Sequence, residues 1–144
     1  MRVHQILKSK GTGGVLTIKP GSSVGDAAEL LSEKRIGALI VSTDGTDPLG
    51  ILSERDIVRE LGRRGAACMS DKVDDLMSSD LVTCTGECSA DEVLGRMTEG
   101  RFRHMPVVKD DVMIGLISIG DVVKARLEEL AHENNALQGM IMGH

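Results

Sequence analysis

Two short motifs in the sequence combine a hydroxyl and a carboxylate at the same spacing. In the first, Ser53 is followed three residues later by Asp56, and in the second, Ser118 is followed by Asp121. Each motif comes directly after a glycine and two aliphatic residues and precedes an apolar pair, which predicts a buried strand that turns into a helix. Unpaired N–H groups at a helix N-terminus attract anions, and an aspartate there can accept hydrogen bonds from a diol. The pattern therefore favours a pair of nucleotide sites.

The same motifs are also typical of a simple helix cap. A serine at the N-cap and an acid at the third helical position each accept a hydrogen bond from the other's backbone N–H group. Such a cap contributes roughly 0.5–2 kcal/mol, which is enough by itself to explain the pattern. A carboxylate has about four acceptor positions, so a cap and a ligand contact can coexist. The motifs alone leave both interpretations open.

The two motifs belong to an internal duplication. The apolar face of a helix that begins at Val24 recurs 66 residues later from Ala90, and strand 50–52 recurs 65 residues later at 115–117. Each copy reads strand, helix, strand, strand, helix, and the short polar turn between the second and third strands predicts an antiparallel hairpin. The predicted fold class is α/β, of the α+β type. Two β-α-β-β-α repeats would be related by a pseudo-twofold axis and packed as one module.

The boundaries of the parts follow from the duplication. Residues 1–62 form the first repeat with its N-terminal lead-in helix, and residues 63–72 form a linker. Residues 73–126 form the second repeat, and residues 127–144 form a C-terminal helix. The glycine-rich stretch 9–14 lacks the Lys-Ser ending of a P-loop, so we interpret it as a linker rather than as a phosphate-binding loop.

The C-terminal helix carries a short heptad pattern. Its a/d positions alternate spacings of three and four residues, and they are Leu127, Leu130, Asn134, Leu137 and Ile141. An asparagine at an a-type position fixes register in a dimer. The pattern predicts a homodimer contact, with packing of this helix on the rest of the chain as the alternative.

Composition removes several classes of function. The 17 basic and 22 acidic residues give a net charge of −5, which argues against nucleic-acid binding. With one Phe and no Trp or Tyr, the chain has no platform for stacking single-stranded bases. No apolar run approaches the roughly 20 residues that a membrane helix needs, and the N-terminus does not resemble a signal peptide. We therefore expect a cytoplasmic protein with no membrane association.

The three cysteines are predicted to be reduced and structural. Cys84 and Cys88 flank a turn-like segment, and Cys68 stands apart. No further ligands occur at a spacing that would complete a metal site, so no metal is expected.

The chain resembles a tandem pair of CBS domains, named after cystathionine β-synthase, in their small stand-alone bacterial form. The resemblance rests on segments 50–56, 103–108 and 115–121, and it covers residues 1–126. It implies a regulatory protein, not an enzyme, that senses energy or redox state by binding adenine nucleotides in the cleft between the repeats. AMP is the implied ligand, with NAD(H) and ATP as further candidates, and no cofactor is required. A homodimer and an unidentified regulated protein are the implied partners.

The resemblance also assigns roles to single residues. It implies that Asp56 and Asp121 hold ribose hydroxyls, that Ser53 and Ser118 lie near the phosphate, and that basic residues on the second strand reach the phosphates. The predicted nucleotide-binding residues are Thr17, Arg35, Gly37, Ala38, Leu39, Ser53, Arg55, Asp56, Thr83, Arg101, Arg103, His104, Met105, Pro106, Ser118, Gly120 and Asp121.

The two sites are predicted to differ. The second copy has Arg103 and His104 where the first has Gly37 and Ala38, so the second suits a monophosphate such as AMP. The roomier first site would accept a dinucleotide such as NAD(H). Pro106 cannot donate to a strand ladder, so we expect the strand to be locally unpaired there, with neighbouring backbone free to meet an adenine edge.

Two other functions remain open from the sequence. One is a structural dimerisation module whose nucleotide sites are vestigial. The other is a small enzyme that depends on His104 and on the thiols of Cys84 and Cys88, although no nucleophile motif such as G-x-S-x-G is present.

Overall fold

The computed structural model describes the backbone of residues 1–11 and 14–141 and the side chains up to Leu137. Six α-helices and five strands occur in this part of the chain, with a 3₁₀ helix at Gly65–Ser70. In chain order they are α1 (Val3–Lys10), β1 (Thr17–Ile18), α2 (Val24–Lys34), β2 (Ala38–Val41), β3 (Gly50–Ser53), α3 (Glu54–Arg64), α4 (Val73–Leu76), α5 (Ala90–Gly100), β4 (His104–Lys109), β5 (Val112–Ser118) and α6 (Ile119–Ile141). The predicted α+β fold class is confirmed. None of the helices described is long and apolar enough to cross a membrane.

The chain forms two compact units. The first unit comprises Met1–Gly13, Thr83–Val107 and Leu116–His144, and we call it the α6 unit. The second comprises Gly14–Val82 and Val108–Gly115, and we call it the β1 unit. Each unit has its own aliphatic core.

In the β1 unit, the order of the three-stranded sheet is β1-β2-β3. β1 runs parallel to β2, and β2 pairs antiparallel with β3 in a register that joins Ala38 to Ser53 and Val41 to Gly50. All four residues of β2 are buried, because this strand lies in the middle of the sheet. The core packs Leu39, Leu52 and Ile57 against the apolar face of α2.

In the α6 unit, the helices α1, α5 and α6 enclose one apolar cluster. Val3 and Ile6 of α1 lie in it beside Val93, Ile117 and Val122. The first strand predicted for the second repeat is reduced here to one parallel bridge, between Cys84 and Val107. The reason is that Pro106 has no backbone N–H to donate.

In the first repeat, the Ile40 N–H donates to the Leu16 carbonyl at 3.3 Å. Pro106 occupies the equivalent position in the second repeat and has no N–H to donate. A single proline thus shortens the parallel ladder of the second copy.

The two lead-in helices are exchanged between the repeats. The start of α1 pairs with the start of α5, since Arg2 bridges Ser89 and the Val3 N–H donates to the Cys88 carbonyl at 2.9 Å. In the same way, Lys72 before α4 bridges Ser23 before α2. Helix α1 therefore belongs to the α6 unit, although it precedes the first repeat in sequence.

The hairpin between β4 and β5 turns through two residues. Asp110 and Asp111 have φ angles of 51° and 63°. Positive φ at both central residues is the geometry of a type I′ turn, which connects antiparallel strands and matches their right-handed twist.

Candidate functional site

The N-terminus of α3 carries the capping arrangement predicted for the first motif. The Ser53 N–H donates to Asp56 Oδ2 at 3.0 Å, and the Asp56 N–H donates to Ser53 Oγ at 3.2 Å. The Ser53 hydroxyl also donates to Asp56 Oδ2 at 2.9 Å. Arg59 Nη1 lies 3.5 Å from the other carboxylate oxygen, Oδ1. The capping interpretation of this motif is confirmed.

The N-terminus of α6 repeats this cap and adds a lysine. The Ser118 N–H donates to Asp121 Oδ2 at 2.9 Å, and the Asp121 N–H donates to Ser118 Oγ at 3.2 Å. Lys10 Nζ, at the end of α1, donates to the same Oδ2 at 2.7 Å and to the Leu116 carbonyl at 2.9 Å. The two aspartates thus occupy equivalent helix positions, but their cationic neighbours differ.

The Asp121 carboxyl titrates below its ordinary range. Partial burial raises its pKa, but the hydrogen bonds from Lys10 and from the Ser118 N–H, together with the lysine charge, outweigh burial and lower the pKa overall. Asp121 is therefore ionised at neutral pH, as a carboxylate that accepts hydrogen bonds from a diol must be.

In each repeat, the residue directly before the second strand is hydrogen-bonded through its backbone to the first turn of the following helix. The Ile119 N–H donates to the Arg103 carbonyl at 2.8 Å, and in the first repeat the Glu54 N–H donates to the Gly37 carbonyl at 2.9 Å. Arg103 and Gly37 therefore adjoin the first turns of α6 and α3 respectively. The Arg103 side chain is exposed and that of His104 is half-buried.

Several predicted site residues belong to the core. Leu39 and Met105 are fully buried, Ala38 is 4% exposed, and Pro106 is buried as well. The expectation of free backbone around Pro106 is wrong for its own carbonyl, because that oxygen accepts a hydrogen bond of 3.0 Å from the Cys84 N–H. The proline removes a donor from the strand, but its acceptor remains paired.

Two of the predicted arginines, Arg35 and Arg101, are the C-terminal cap residues of α2 and α5. Arg35 ends α2 with φ 54°, and Arg101 ends α5 with φ 57°. Their backbone N–H groups bond the last turn of each helix, to Leu31 and Met97 respectively. Both side chains are exposed. Glycine is the residue that usually adopts this left-handed backbone conformation at the end of a helix, so an arginine at either position did not predict it.

The remaining predicted residues lie around the helix starts and the first strand. Arg55 and Gly120 are exposed in the first turns of α3 and α6. A β-carbon on Gly120 would meet Ser118 Oγ at 3.7 Å, an ordinary contact, so packing does not require glycine there. Thr17 lies in β1 opposite Ile40. Thr83 is exposed, and its carbonyl accepts a hydrogen bond of 3.4 Å from Arg96 Nη1.

A cavity of about 560 Å³ lies in the β1 unit, between the end of α2 and the start of α3. Its size falls in the range of small-molecule pockets. It brings together the predicted residues Arg35 and Gly37, but Asp56 and Thr17 are not among its walls. Glu54 also contributes a carboxylate to the lining. The lining residues are Ala28, Leu31, Ser32, Arg35, Ile36, Gly37, Glu54, Ile57 and Val58.

The Cys84 thiol is poorly suited to nucleophilic chemistry. Burial, and secondarily the neighbouring Cys88, raise the pKa of Cys84 to about 12. A thiol of that pKa carries almost no thiolate at neutral pH. Within the described residues, no group of three or more His, Cys, Asp or Glu side chains is placed to hold a metal ion.

Sequence analysis missed Lys10. Its contact with Asp121 spans 111 positions and depends on the exchange of α1 into the α6 unit. No local spacing in the sequence signals that exchange.

Comparison with known proteins identifies both halves of the chain. The family model for the CBS domain matches residues 11–63 and 73–128. The mitochondrial CBS domain-containing protein CBSX3 of Arabidopsis thaliana is 36% identical over 148 aligned positions, which cover 98% of this chain and 72% of that protein.

Solved structures share the fold. A CBS-domain-containing protein of Agrobacterium tumefaciens has a TM-score of 0.82 at 40% identity, covering 88% of this chain and 99% of its own. A CBS domain pair crystallised with 5′-methylthioadenosine and S-adenosyl-L-methionine has a TM-score of 0.76 at 21% identity, covering 90% of this chain and 98% of its own. At that identity the second likeness concerns the fold alone.

Proposed function

The chain belongs to the CBS-domain family as a tandem pair of CBS domains, and on this premise we propose that it is a regulatory protein that binds adenine nucleotides. AMP is the proposed ligand of the second repeat, and NAD(H) and ATP are further candidates. CBS-domain proteins are generally regulatory rather than catalytic, so we propose no reaction. A cytoplasmic location remains a prediction from the sequence.

The observation that carries this proposal is the start of α6. The ionised carboxylate of Asp121 and the hydroxyl of Ser118 lie there at the positive end of a helix, in contact with Lys10 of α1, and the exposed Arg103 lies directly before β4. The carboxylate suits ribose hydroxyls, and the surrounding positive charge suits a phosphate. The Ser118 N–H and Lys10 Nζ both donate to Asp121 Oδ2, and we propose that the other carboxylate oxygen, Oδ1, accepts the hydrogen bonds of a diol.

The first repeat offers a weaker environment for phosphate. The exposed carboxylate of Glu54 follows the cap residue Ser53, and the residue directly before β2 is Gly37 instead of an arginine. We therefore propose unequal sites, with AMP favouring the second repeat. For the first repeat, a larger ligand such as NAD(H) remains the proposal.

Calorimetric titration with AMP tests the assignment. Asp121→Asn keeps an oxygen acceptor for the cap but removes the charge, and a charge-assisted hydrogen bond contributes about 1.5–3 kcal/mol. We expect a loss of roughly ten- to a hundredfold in affinity. Asp56→Asn is the matched control at the equivalent cap and should affect AMP less. Unchanged AMP affinity in both variants would refute the site assignment.

Mass spectrometry of the freshly purified protein addresses the ligand directly. Denaturation should release an adenosyl compound from the protein. The capping bonds also favour one rival function, because they give Asp56 and Asp121 a structural role without any ligand. If no ligand is released and a panel of adenine nucleotides produces no thermal shift, the result would favour the alternative of a dimerisation module with vestigial sites.

We propose further that the protein is a homodimer, and that an unidentified partner protein responds to ligand binding. Leu127, Leu130 and Leu137 on α6 are 62%, 48% and 55% exposed in the single chain. The side chain of Ile141, the last position of the predicted heptad pattern, lies outside the described residues. Sedimentation should give a dimer, and Leu130→Glu should weaken it because a charge would be desolvated at the seam. A monomeric wild-type protein would refute this part of the proposal.

A further inference from the structure

Lys10 joins the end of α1 to the candidate nucleotide site of the second repeat. Its Nζ donates to Asp121 Oδ2 at 2.7 Å and to the Leu116 carbonyl at 2.9 Å, so one ammonium group bonds both the C-terminal part of β5 and the first turn of α6. The Lys10 side chain is 40% exposed and that of Asp121 is 22% exposed. The pair is therefore accessible to a ligand from solvent.

The position of the lysine is fixed by packing. Val3 and Ile6 of the same helix are buried in the cluster that includes Val122 of α6. The backbone of α1 is also bonded to the loop before α5 at Val3 and His4. The ammonium is thus held near Asp121 by a structured helix, and the first repeat has a different cation, Arg59, at its own aspartate.

This arrangement discriminates between ligands by charge. A ribose that bonds Asp121 must share the carboxylate with Lys10, and whatever extends from the ribose then lies near the ammonium. An anionic group is attracted by Lys10, a neutral group gains nothing, and a cationic group is repelled. A unit charge at about 6 Å changes affinity by roughly threefold to a hundredfold, depending on the local dielectric.

We propose that Lys10 is the residue that makes the second repeat selective for anionic adenosyl ligands over neutral and cationic ones. This inference rests on the proposed function, since it concerns the same site. It goes beyond that function by naming a residue outside both CBS motifs, and it predicts an order of preference. AMP binds most tightly, adenosine is intermediate, and S-adenosylmethionine, with its sulfonium group, binds most weakly.

The test is calorimetric titration of AMP, adenosine and S-adenosylmethionine into wild type, Lys10→Met and Lys10→Arg. Lys10→Met should lower the ratio of AMP affinity to adenosine affinity by at least about threefold, and Lys10→Arg should restore it. For S-adenosylmethionine, Lys10→Met should leave affinity unchanged or raise it. The difference between wild type and Lys10→Met should shrink as salt is added.

Lys8→Met is the matched control, because Lys8 is an exposed lysine of the same helix and its loss changes the net charge equally. The affinity ratio should stay at its wild-type value in this variant. An equal fall in both variants would show a general charge effect and overturn the inference, as would an unchanged ratio in Lys10→Met.

A uniform loss of affinity for all three ligands in Lys10→Met would also overturn it, by showing a structural role alone. These outcomes are distinct from failure of the proposed function. In that case the wild-type protein itself would bind neither AMP nor adenosine, and the inference would fall with it.

Discussion

Gly50 and Met77 lie so close together that a β-carbon on Gly50 would stand 2.5 Å from Met77 Sδ. It would also stand 3.1 Å from the Ser78 carbonyl oxygen. The segment after α4 crosses over β3 at this point, where Ile51 and Ser78 exchange backbone hydrogen bonds of 2.9 Å. The glycine of the first motif is therefore required by packing, independently of any ligand.

Gly50→Ala should destabilise the protein by about 1–3 kcal/mol, the usual cost of overpacking a site. Met77 has a flexible side chain that can move, but the Ser78 carbonyl belongs to a hydrogen-bonded backbone and cannot move freely. Urea unfolding measures the effect. Gly62→Ala is the control, because a β-carbon there meets nothing within 4 Å. In the last turn of α3 that change should stabilise the protein by up to about 1 kcal/mol. Equal stability of the two variants would contradict this account.

The elements predicted from sequence were those whose signals are local. The apolar spacing that begins at Val24 and at Ala90 predicted α2 and α5 correctly, and the Ser-x-x-Asp motifs predicted both caps. These patterns act within one or two helical turns, so the residues that specify them are neighbours in the chain.

What sequence reasoning missed depends on contacts between distant segments. The exchange of α1 and α4 could not be read from the repeat, because a repeat shows which segments correspond and not which ones pack together. The Lys10–Asp121 contact follows from that exchange. The shortened first strand of the second repeat was a different kind of omission. Pro106 indicates the shortening in the sequence, but its effect on the strand pairing is evident only once the bond from the Ile40 N–H to the Leu16 carbonyl is known.

The β4–β5 turn should be improved by glycine. Asp110 and Asp111 both have positive φ, a conformation that costs an L-residue roughly 1–2 kcal/mol and glycine almost nothing. Asp111→Gly creates the Asp-Gly pair preferred in type I′ turns and should stabilise the protein by up to about 1 kcal/mol. Thermal or urea unfolding measures the change. As a control, Asp111→Ala leaves the strain in place and should not stabilise. A lower stability of Asp111→Gly than of wild type would refute the turn assignment.

Asp44 should titrate far below an ordinary carboxyl. Hydrogen bonds from the backbone N–H groups of Thr46 and Asp47, both 2.9 Å from Oδ1, are the main cause, and they lower its pKa to about 2. NMR of the side-chain carboxyl carbon between pH 1 and 6 should place the midpoint there, and the signal should vanish in Asp44→Asn. The stabilisation is present in full above the unfolded pKa and is lost as pH falls towards about 2. A midpoint near 4 would show that the turn does not hold the carboxylate.

The contact between Lys10 and Asp121 should make stability depend on pH in the acid range. The folded-state pKa of Asp121 is lowered, so the ionised carboxylate stabilises the fold. This stabilisation is present in full above the unfolded pKa of about 3.9 and is lost as pH falls through the folded value. Asp121→Asn, which cannot ionise, should therefore be less stable than wild type at pH 7, and the difference between them should shrink as pH falls below about 4.

The pH dependence can be assigned to the lysine by a second variant. In Lys10→Met the strongest of the interactions that lower the pKa of Asp121 is removed, while the N–H of Ser118 remains. Its acid-range loss of stability should be smaller than that of wild type, because the folded and unfolded pKa values of Asp121 move closer together. Urea unfolding between pH 2.5 and 7 gives all three curves, with Lys8→Met as the control for net charge. If Lys10→Met and wild type lose stability in parallel, the lysine does not hold the carboxylate in solution.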